Sequence, residues 1–448
     1  MEKLPFSQLL VPILLTFVHL SASQKQCTSP PAVRAGFWLS NSNHYSSLSN
    51  VSSSLYTHLH YYSLSINETT FTVSVPPQDQ LPLLVNFSAC VKSDNPSIKT
   101  LLSIATDDHR INSSNAAFST MVADKTLRSA FISSTIELAN GHGFDGLDLA
   151  WQFPSSMSDM ANLALLLSEW RAAVNNTAED SSPSLLLTAT VYFSGHVFDG
   201  PTDDLDYPAS AISENLDWVN ALCFGYHKTN ELITAADAPL YDKTTHLSTS
   251  YCIESWLDAG IPPCKLVMGI PLFGRSWYLK NKEKNGLGAQ AVAAGPREKL
   301  SNRTGVIAYF EIKQILKETT PSLSYDNRTV SSYFHNGGLW VSFDSLQVVD
   351  EKIKFSLRNK LLGYFLWPIS FDDSNHTISK KASGAWQIAS ASGEGKLGYE
   401  EAPSPQELNA QDLAPTQQED ISDAIARDPL MILYICNSLF LLLNLVRI

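Results

Sequence analysis

Short apolar runs recur along residues 24–392, separated by segments whose apolar residues fall three or four apart. The runs at 33–39, 59–64, 99–104, 146–151, 185–192, 218–224, 266–271 and 361–367 read as strands. They are nearly continuous rather than alternating, which predicts strands buried on both faces, as in a parallel sheet. Between them, 125–140 and 161–174 carry the helical period; Leu163, Leu166, Leu167 and Trp170 share one face. Eight such strands alternating with helices predict an α/β fold of the (β/α)8 barrel type. The stretch 277–341 is too long for one strand-to-helix connection and predicts an inserted α+β subdomain after the seventh strand.

The ends of the chain break this pattern. Lys3 precedes an apolar run over 9–20, and Ser21 and Ser23 are small residues at signal-peptidase spacing, so 1–23 reads as a secretory signal. The barrel is expected over 24–392. Residues 393–429 are rich in Pro, Gln, Ser, Glu and Asp without apolar periodicity, and read as a flexible acidic linker. The apolar tail at 430–448 is at the lower length limit for a membrane helix. Three roles fit it: a span with Arg447 on the cytoplasmic side, an anchor-addition signal cleaved near Ser422-Asp423-Ala424, or translated sequence with no physical role. The expected location is extracellular, with attachment to the plasma membrane under the first two roles.

Secretion gives weight to the Asn-x-Ser/Thr triplets, which begin at Asn50, Asn67, Asn86, Asn112, Asn175, Asn302, Asn327 and Asn375 and are candidate glycosylation sites. In an oxidising compartment Cys252 and Cys264 are candidates for a disulfide and Cys27 with Cys90 for a second, while Cys223, inside an apolar run, reads as a small hydrophobe. The 448 residues are 44% hydrophobic and carry a net charge of -13, which speaks against nucleic acid as a partner. The linker holds nine acidic against two basic residues, so the barrel itself is only mildly acidic.

The chemistry concentrates in Phe144-Asp145-Gly146-Leu147-Asp148-Leu149-Ala150-Trp151-Gln152, which ends the fourth strand. Strand alternation gives Asp148, Ala150 and Gln152 one common direction, toward the mouth of the barrel. This run resembles the D-x-x-D-x-D-x-E signature of glycoside hydrolase family 18, the chitinases, with Asp145 and Asp148 kept and Ala150 and Gln152 in place of the last two acids. The resemblance covers about 32–390. Ala35-Gly36-Phe37-Trp38 is similar to the family's first strand, Leu185 to Ser194 to its fifth, Asp217-Trp218-Val219-Asn220 to its sixth, Gly269 to Arg275 to its seventh and Gly363-Tyr364-Phe365-Leu366-Trp367 to its eighth. The pattern is nearest to plant class V chitinases and to the chitinase-like ectodomains of plant receptor-like kinases.

The resemblance implies a mechanism and a defect. In such enzymes a carboxyl group protonates the leaving oxygen, the substrate's own N-acetyl oxygen attacks the anomeric carbon, and a neighbouring Asp orients the acetamide. Here Gln152 stands at the acid and Ala150 at the orienting Asp. An amide has no proton to donate near pH 7, and general acid catalysis alone is worth about 10²–10⁴-fold. The sixth-strand Tyr and Asp that contact the acetamide correspond to Phe224 and Gly225, and the third-strand S-x-G-G to Ser103-Ile104-Ala105-Thr106. Trp367, Trp38, Phe224, Arg275 and Trp340 are the candidate sugar contacts, with Asp344 in a matching motif; Trp38 and Trp340 fit core packing as well. Asp145 and Asp148 are expected to tie the mouth of the fourth strand by hydrogen bonds.

No metal-ligand spacing, nucleophile elbow or phosphate loop occurs, so no cofactor is expected. Three functions fit: a catalytically impaired binder of chitin or other N-acetylglucosamine oligomers, in the manner of a receptor ectodomain; a weak or altered glycosidase, with Asp148 as an unconventional acid; and a protein-binding scaffold with a vestigial cleft.

Overall fold

The computed structural model describes residues 31–40, 47–107, 110–177, 184–198, 205–228, 230–299 and 301–392. The predicted signal, linker and tail lie outside them, as does Cys27. Eight parallel strands close a barrel: β1 (Val33–Leu39), β2 (His58–Leu64), β3 (Lys99–Ala105), β4 (Gly146–Ala150), β5 (Leu186–Val191), β6 (Trp218–Ala221), β7 (Leu266–Pro271) and, after an insertion, β14 (Gly363–Trp367), which pairs with both β7 and β1. This is the (β/α)8 barrel that the apolar runs predict. Helices between the strands include α1 (Leu81–Asp94), α2 (Ile111–Ala123), α3 (Lys125–Gly141) and α4 (Met157–Thr177). Asp124 starts α3 by accepting from the backbone N–H groups of Thr126 and Leu127 at 2.7 and 3.0 Å, which satisfies two donors that the first turn leaves open.

Alternation along each strand sorts the side chains into two cores. Leu147 and Leu149 of β4 point outward to the helices, as do Trp38, Tyr61, Tyr364 and Leu366. Phe37, Tyr62, Leu101, Ala105, Ala150, Trp218 and Phe365 fill the barrel's interior, with Trp367 at its edge. Trp38 is therefore not a sugar contact. Fully buried, it packs against Tyr61 and Phe87, with ring centroids 6.0 and 5.9 Å away. Gly269 makes the inner layer fit: a Cβ there would lie 2.6 Å from Phe365 and 2.7 Å from Phe224.

The insertion is a second, antiparallel sheet. It comprises β8 (Phe273–Leu279), β9 (Ala291–Ala294), β10 (Val306–Ala308), β11 (Leu323–Asp326), β12 (Ser331–Asn336) and β13 (Leu339–Phe343), with a helix at Tyr309–Thr319. Trp340 and Trp277 are register partners and form its own small core with Leu279 and Ala291. The Trp340 indole N–H donates to the Asn285 carbonyl at 3.0 Å. Trp340 thus braces the insertion and offers no face to a ligand.

The cysteines also depart from expectation. Cys223 pairs with Cys252, joining the end of β6 to the helix at Thr249–Asp258, so Cys223 is no simple hydrophobe. Cys264 is disulfide-bonded, but not to Cys252, and Cys90 is free, which removes both anticipated pairings. Proximity in sequence was a poor guide because 252 and 264 lie at opposite ends of one helix-and-turn segment, whereas β6 and the helix that follows it come together in space. Of the sequon asparagines, Asn50, Asn86, Asn112, Asn175, Asn302, Asn327 and Asn375 are exposed. Asn67 is half-buried, and its Oδ1 accepts from the N–H groups of Thr69 and Thr70.

The cross-link closes a loop of 29 residues. Replacing Cys252 with Ser should cost about 2–4 kcal/mol of unfolding free energy in denaturant titrations. Cys90→Ser should leave it within about 0.5 kcal/mol.

Candidate sugar-binding cleft

The mouth lies at the C-terminal ends of the barrel strands, and the run 145–152 crosses from the barrel's bottom to that mouth. Asp145 sits at the bottom. Its carboxylate accepts from the Thr100 N–H at 2.8 Å and pairs with Lys92 at 2.7 Å and Lys99 at 3.1 Å. Burial pushes its carboxyl up, but the Lys92 bond, the Thr100 N–H and Lys99 outweigh it and hold the carboxyl below its usual range. Asp145 anchors β4 to β3 at the end away from the mouth, contrary to the expectation that it ties the mouth.

Asp148 lies one layer higher, inside the barrel and fully buried. Thr188 Oγ1 and Asn220 Nδ2 donate to its Oδ1 at 2.6 and 3.2 Å; Ser103 Oγ and Thr190 Oγ1 donate to Oδ2, both at 3.0 Å. Four donors from β3, β5 and β6 thus surround one carboxylate. Burial still raises its pKa against all four bonds. His60 stands beside it, Nδ1 3.4 Å from Ser103 Oγ and 3.9 Å from the carboxylate, stacked on Phe37 at 4.0 Å. Burial lowers the imidazole to about 3, so it stays neutral and balances no charge.

Above Asp148 the polarity ends. Ala150 is fully buried in the apolar inner layer, in register with Ala105 of β3. Phe224, 9% exposed, closes the same layer edge-on against Phe365 and Phe273, at 6.1 and 5.8 Å. Gln152 is half-buried at the mouth. Its backbone N–H donates to Thr106 Oγ1 at 2.8 Å, its carbonyl accepts from Asn115 Nδ2 at 3.0 Å, and its side-chain amide donates to the Tyr62 hydroxyl at 3.4 Å. Thr106 pins the backbone of Gln152. Tyr62 in turn meets Trp367 edge-on at 4.5 Å, and Trp367, half-buried, is the tryptophan left at the mouth.

Arg275 of β8 is also at the rim. Its Nε donates to Asp237 Oδ2 at 3.1 Å, and its guanidinium lies 5.9 Å over the Phe273 ring. Asp344 is not available to a ligand: it is buried, with Lys352 Nζ 2.6 Å from Oδ2. The structure therefore brings together Asp148, Ala150, Gln152, Phe224, Arg275 and Trp367, and separates Asp145, Trp38 and Trp340 from them. Sequence reasoning missed His60, Tyr62, Thr188, Thr190 and Asp237. A histidine alternating with apolar residues along a predicted strand was the available signal for His60; Asp237 lies in a long loop with no motif. No group of three or more His, Cys, Asp or Glu side chains able to hold a metal ion occurs among the described residues.

Residues 33–372 match the family model for glycosyl hydrolases family 18. The chain belongs to that family. It is 36% identical over 377 residues to the class V chitinase CHIT5 of Lotus japonicus, covering 83% of this chain and 90% of that protein. Among solved structures, a Glu-to-Gln mutant of a class V chitinase from Nicotiana tobaccum in complex with NAG4 is 36% identical with a TM-score of 0.74, covering 79% of this chain and 99% of that one. The chitinase-like agglutinin RobpsCRA from Robinia pseudoacacia is 32% identical with a TM-score of 0.70, covering 79% of this chain and all of that one, at 100%.

Asp148 gives a pH signature. A carboxyl whose pKa is raised on folding adds stability that is complete below its unfolded value and lost as pH rises through the folded one. Asn at this position does not ionise. In denaturant unfolding at acidic and neutral pH, the stability of wild type relative to Asp148→Asn should therefore fall as pH rises from about 3.8, the unfolded value. A difference that grows with pH would contradict the raised pKa.

Proposed function

We propose that this chitinase-like protein is a secreted, glycosylated binder of chitin or other N-acetylglucosamine oligomers, catalytically impaired and suited to an ectodomain role. The observation that carries this reading is the layering at the mouth. An amide at Gln152 and a sealed methyl at Ala150 stand where the family resemblance puts the acid and the orienting carboxylate, linked through Tyr62 to a retained aromatic face at Trp367. An aromatic face packs against the apolar C–H face of a hexose without any need for chemistry. Asp148 offers no substitute acid, because it is wholly buried and each of its oxygens already accepts two hydrogen bonds. Two relatives support a binding role: a Glu-to-Gln class V chitinase in complex with NAG4, and a chitinase-like agglutinin. The seven exposed sequon asparagines are compatible with export.

Calorimetric titration of chitin tetramers into the folded protein is expected to give saturable binding. Trp367→Ala should weaken it roughly tenfold, while Trp38→Ala should lower stability by about 3–5 kcal/mol and leave the affinity of the folded fraction unchanged. Absence of heat at millimolar ligand would remove the binding role. A fluorogenic chitotrioside should show little turnover; turnover abolished by Asp148→Asn would restore the glycosidase reading.

Reinstating both acids, Gln152→Glu with Ala150→Asp, is expected to recover only part of a chitinase's rate, since Phe224 and Gly225 still lack the hydroxyl and carboxylate that contact the acetamide, and Ala105 and Thr106 still carry side chains where the family motif has glycines. Full recovery from the two changes would show that those four positions are irrelevant to catalysis.

A further inference from the structure

Gly225 lies four residues past the end of β6, where active relatives are expected to carry a carboxylate, and the backbone there does something specific. Gly225 takes a φ of +78°, a conformation that favours glycine, and its N–H donates to the Asp237 carbonyl at 3.0 Å. The His227 N–H donates to Asp237 Oδ1 at 3.0 Å. The loop after β6 therefore doubles back and delivers a carboxylate to the segment just beyond that strand, beside the position that has lost its own. Asp237 is 6% exposed, and its neighbour Ala238 belongs to the inner apolar layer of the barrel.

The second oxygen of Asp237 takes Arg275, whose side chain keeps 17% of its surface exposed and makes no other hydrogen bond among the described residues. The remaining guanidinium donors are left for solvent or a ligand. Phe273 and Phe224 connect this pair to the aromatic layer under Trp367. Behind it, Asp344 and Lys352 form a second buried couple that adds no net charge. An unpaired guanidinium beside an apolar wall, poorly screened, would draw acidic ligands strongly. Paired, it still donates to hydroxyl and carbonyl oxygens.

We propose that Asp237 is a relocated strand-six carboxylate that sets the specificity of the cleft for uncharged sugars by neutralising Arg275. The proposal rests on the sugar-binding reading only for where the ligand sits. Its test compares chitotetraose with tetragalacturonate, an acidic oligomer of similar length, by calorimetry at low salt on wild type, Asp237→Asn, Arg275→Gln and the double variant. Wild type should ignore the acidic oligomer. Asp237→Asn should bind it roughly tenfold more tightly than wild type does, and the gain should vanish in about 0.5 M salt and in the double variant.

A folded Asp237→Asn that gains no affinity for tetragalacturonate overturns the proposal, as does a wild type that binds it as well as chitotetraose. If Asp237→Asn does not fold, Arg275→Gln decides. It should melt below wild type, because it leaves a buried carboxylate unpaired, and it should not bind the acidic oligomer; unchanged melting shows that the pair is not formed and also overturns the proposal. Failure of every variant to bind chitotetraose would count against the sugar-binding reading while the tetragalacturonate comparison still stood.

Discussion

The barrel's interior is organised around one expensive group, the carboxylate of Asp148. A carboxylate with no exposed surface is unfavourable by several kcal/mol unless hydrogen bonds replace its water. Here the replacements come from three neighbouring strands at once, Ser103 on β3, Thr188 and Thr190 on β5, and Asn220 on β6. The Trp218 indole N–H donates to Asn220 Oδ1 at 3.0 Å, which leaves the amide nitrogen facing Asp148. Each donor is useful only if its strand holds the register that faces it inward, so the network and the strand registers specify each other. A fixed polar layer at this depth confines polarity there, and the layer above is free to be apolar: Ala150, Ala105, Phe224 and Phe365.

That layering separates preservation of the fold from preservation of chemistry. The positions that answer to the barrel's closure, Asp145 at the bottom and Asp148 in the middle, remain acidic. The positions that answer only to a reacting sugar, Ala150 and Gln152, do not. The mouth is held by other means. Thr106 and Asn115 fix the backbone of Gln152, Tyr62 receives its amide, and the Cys223–Cys252 bond secures the end of β6 beside Phe224. The insertion follows directly on β7 and is tied to the loop after β6 by the Asp237–Arg275 pair, by the Trp277 indole N–H to the Glu231 carbonyl and by the Thr234 N–H to the Ala289 carbonyl, while Trp340 stays in the insertion's own core.

Much of the barrel was legible in the sequence because strands buried on both faces must be apolar along their length. The first and seventh strands fell on the expected residues, and the others differed by one to three residues at their ends. Outside the fourth strand, what the sequence did not supply was which face of each strand turns inward. Trp38 and Phe37 are adjacent and equally aromatic, yet alternation sends one to the helices and the other to the interior. Trp340 lies in a motif-like stretch, but its register partner Trp277 captures it. Cysteine partners and the Asp237 carboxylate depend on loop paths that no period records. The strand-four run was readable because the four motif positions, Asp145, Asp148, Ala150 and Gln152, fall within eight consecutive residues.

The same sorting gives the protein an internal optical reporter. It has nine tryptophans, and eight of them, Trp38, Trp151, Trp170, Trp218, Trp256, Trp277, Trp340 and Trp386, are at most 7% exposed. Trp367 alone is half-buried, at the mouth. Eight indoles emit from dry surroundings that a ligand does not touch, and one emits from the boundary with water. A bound ring that displaces that water shifts one emitter against a constant background, so the intrinsic fluorescence of the unlabelled protein reads occupancy of the cleft.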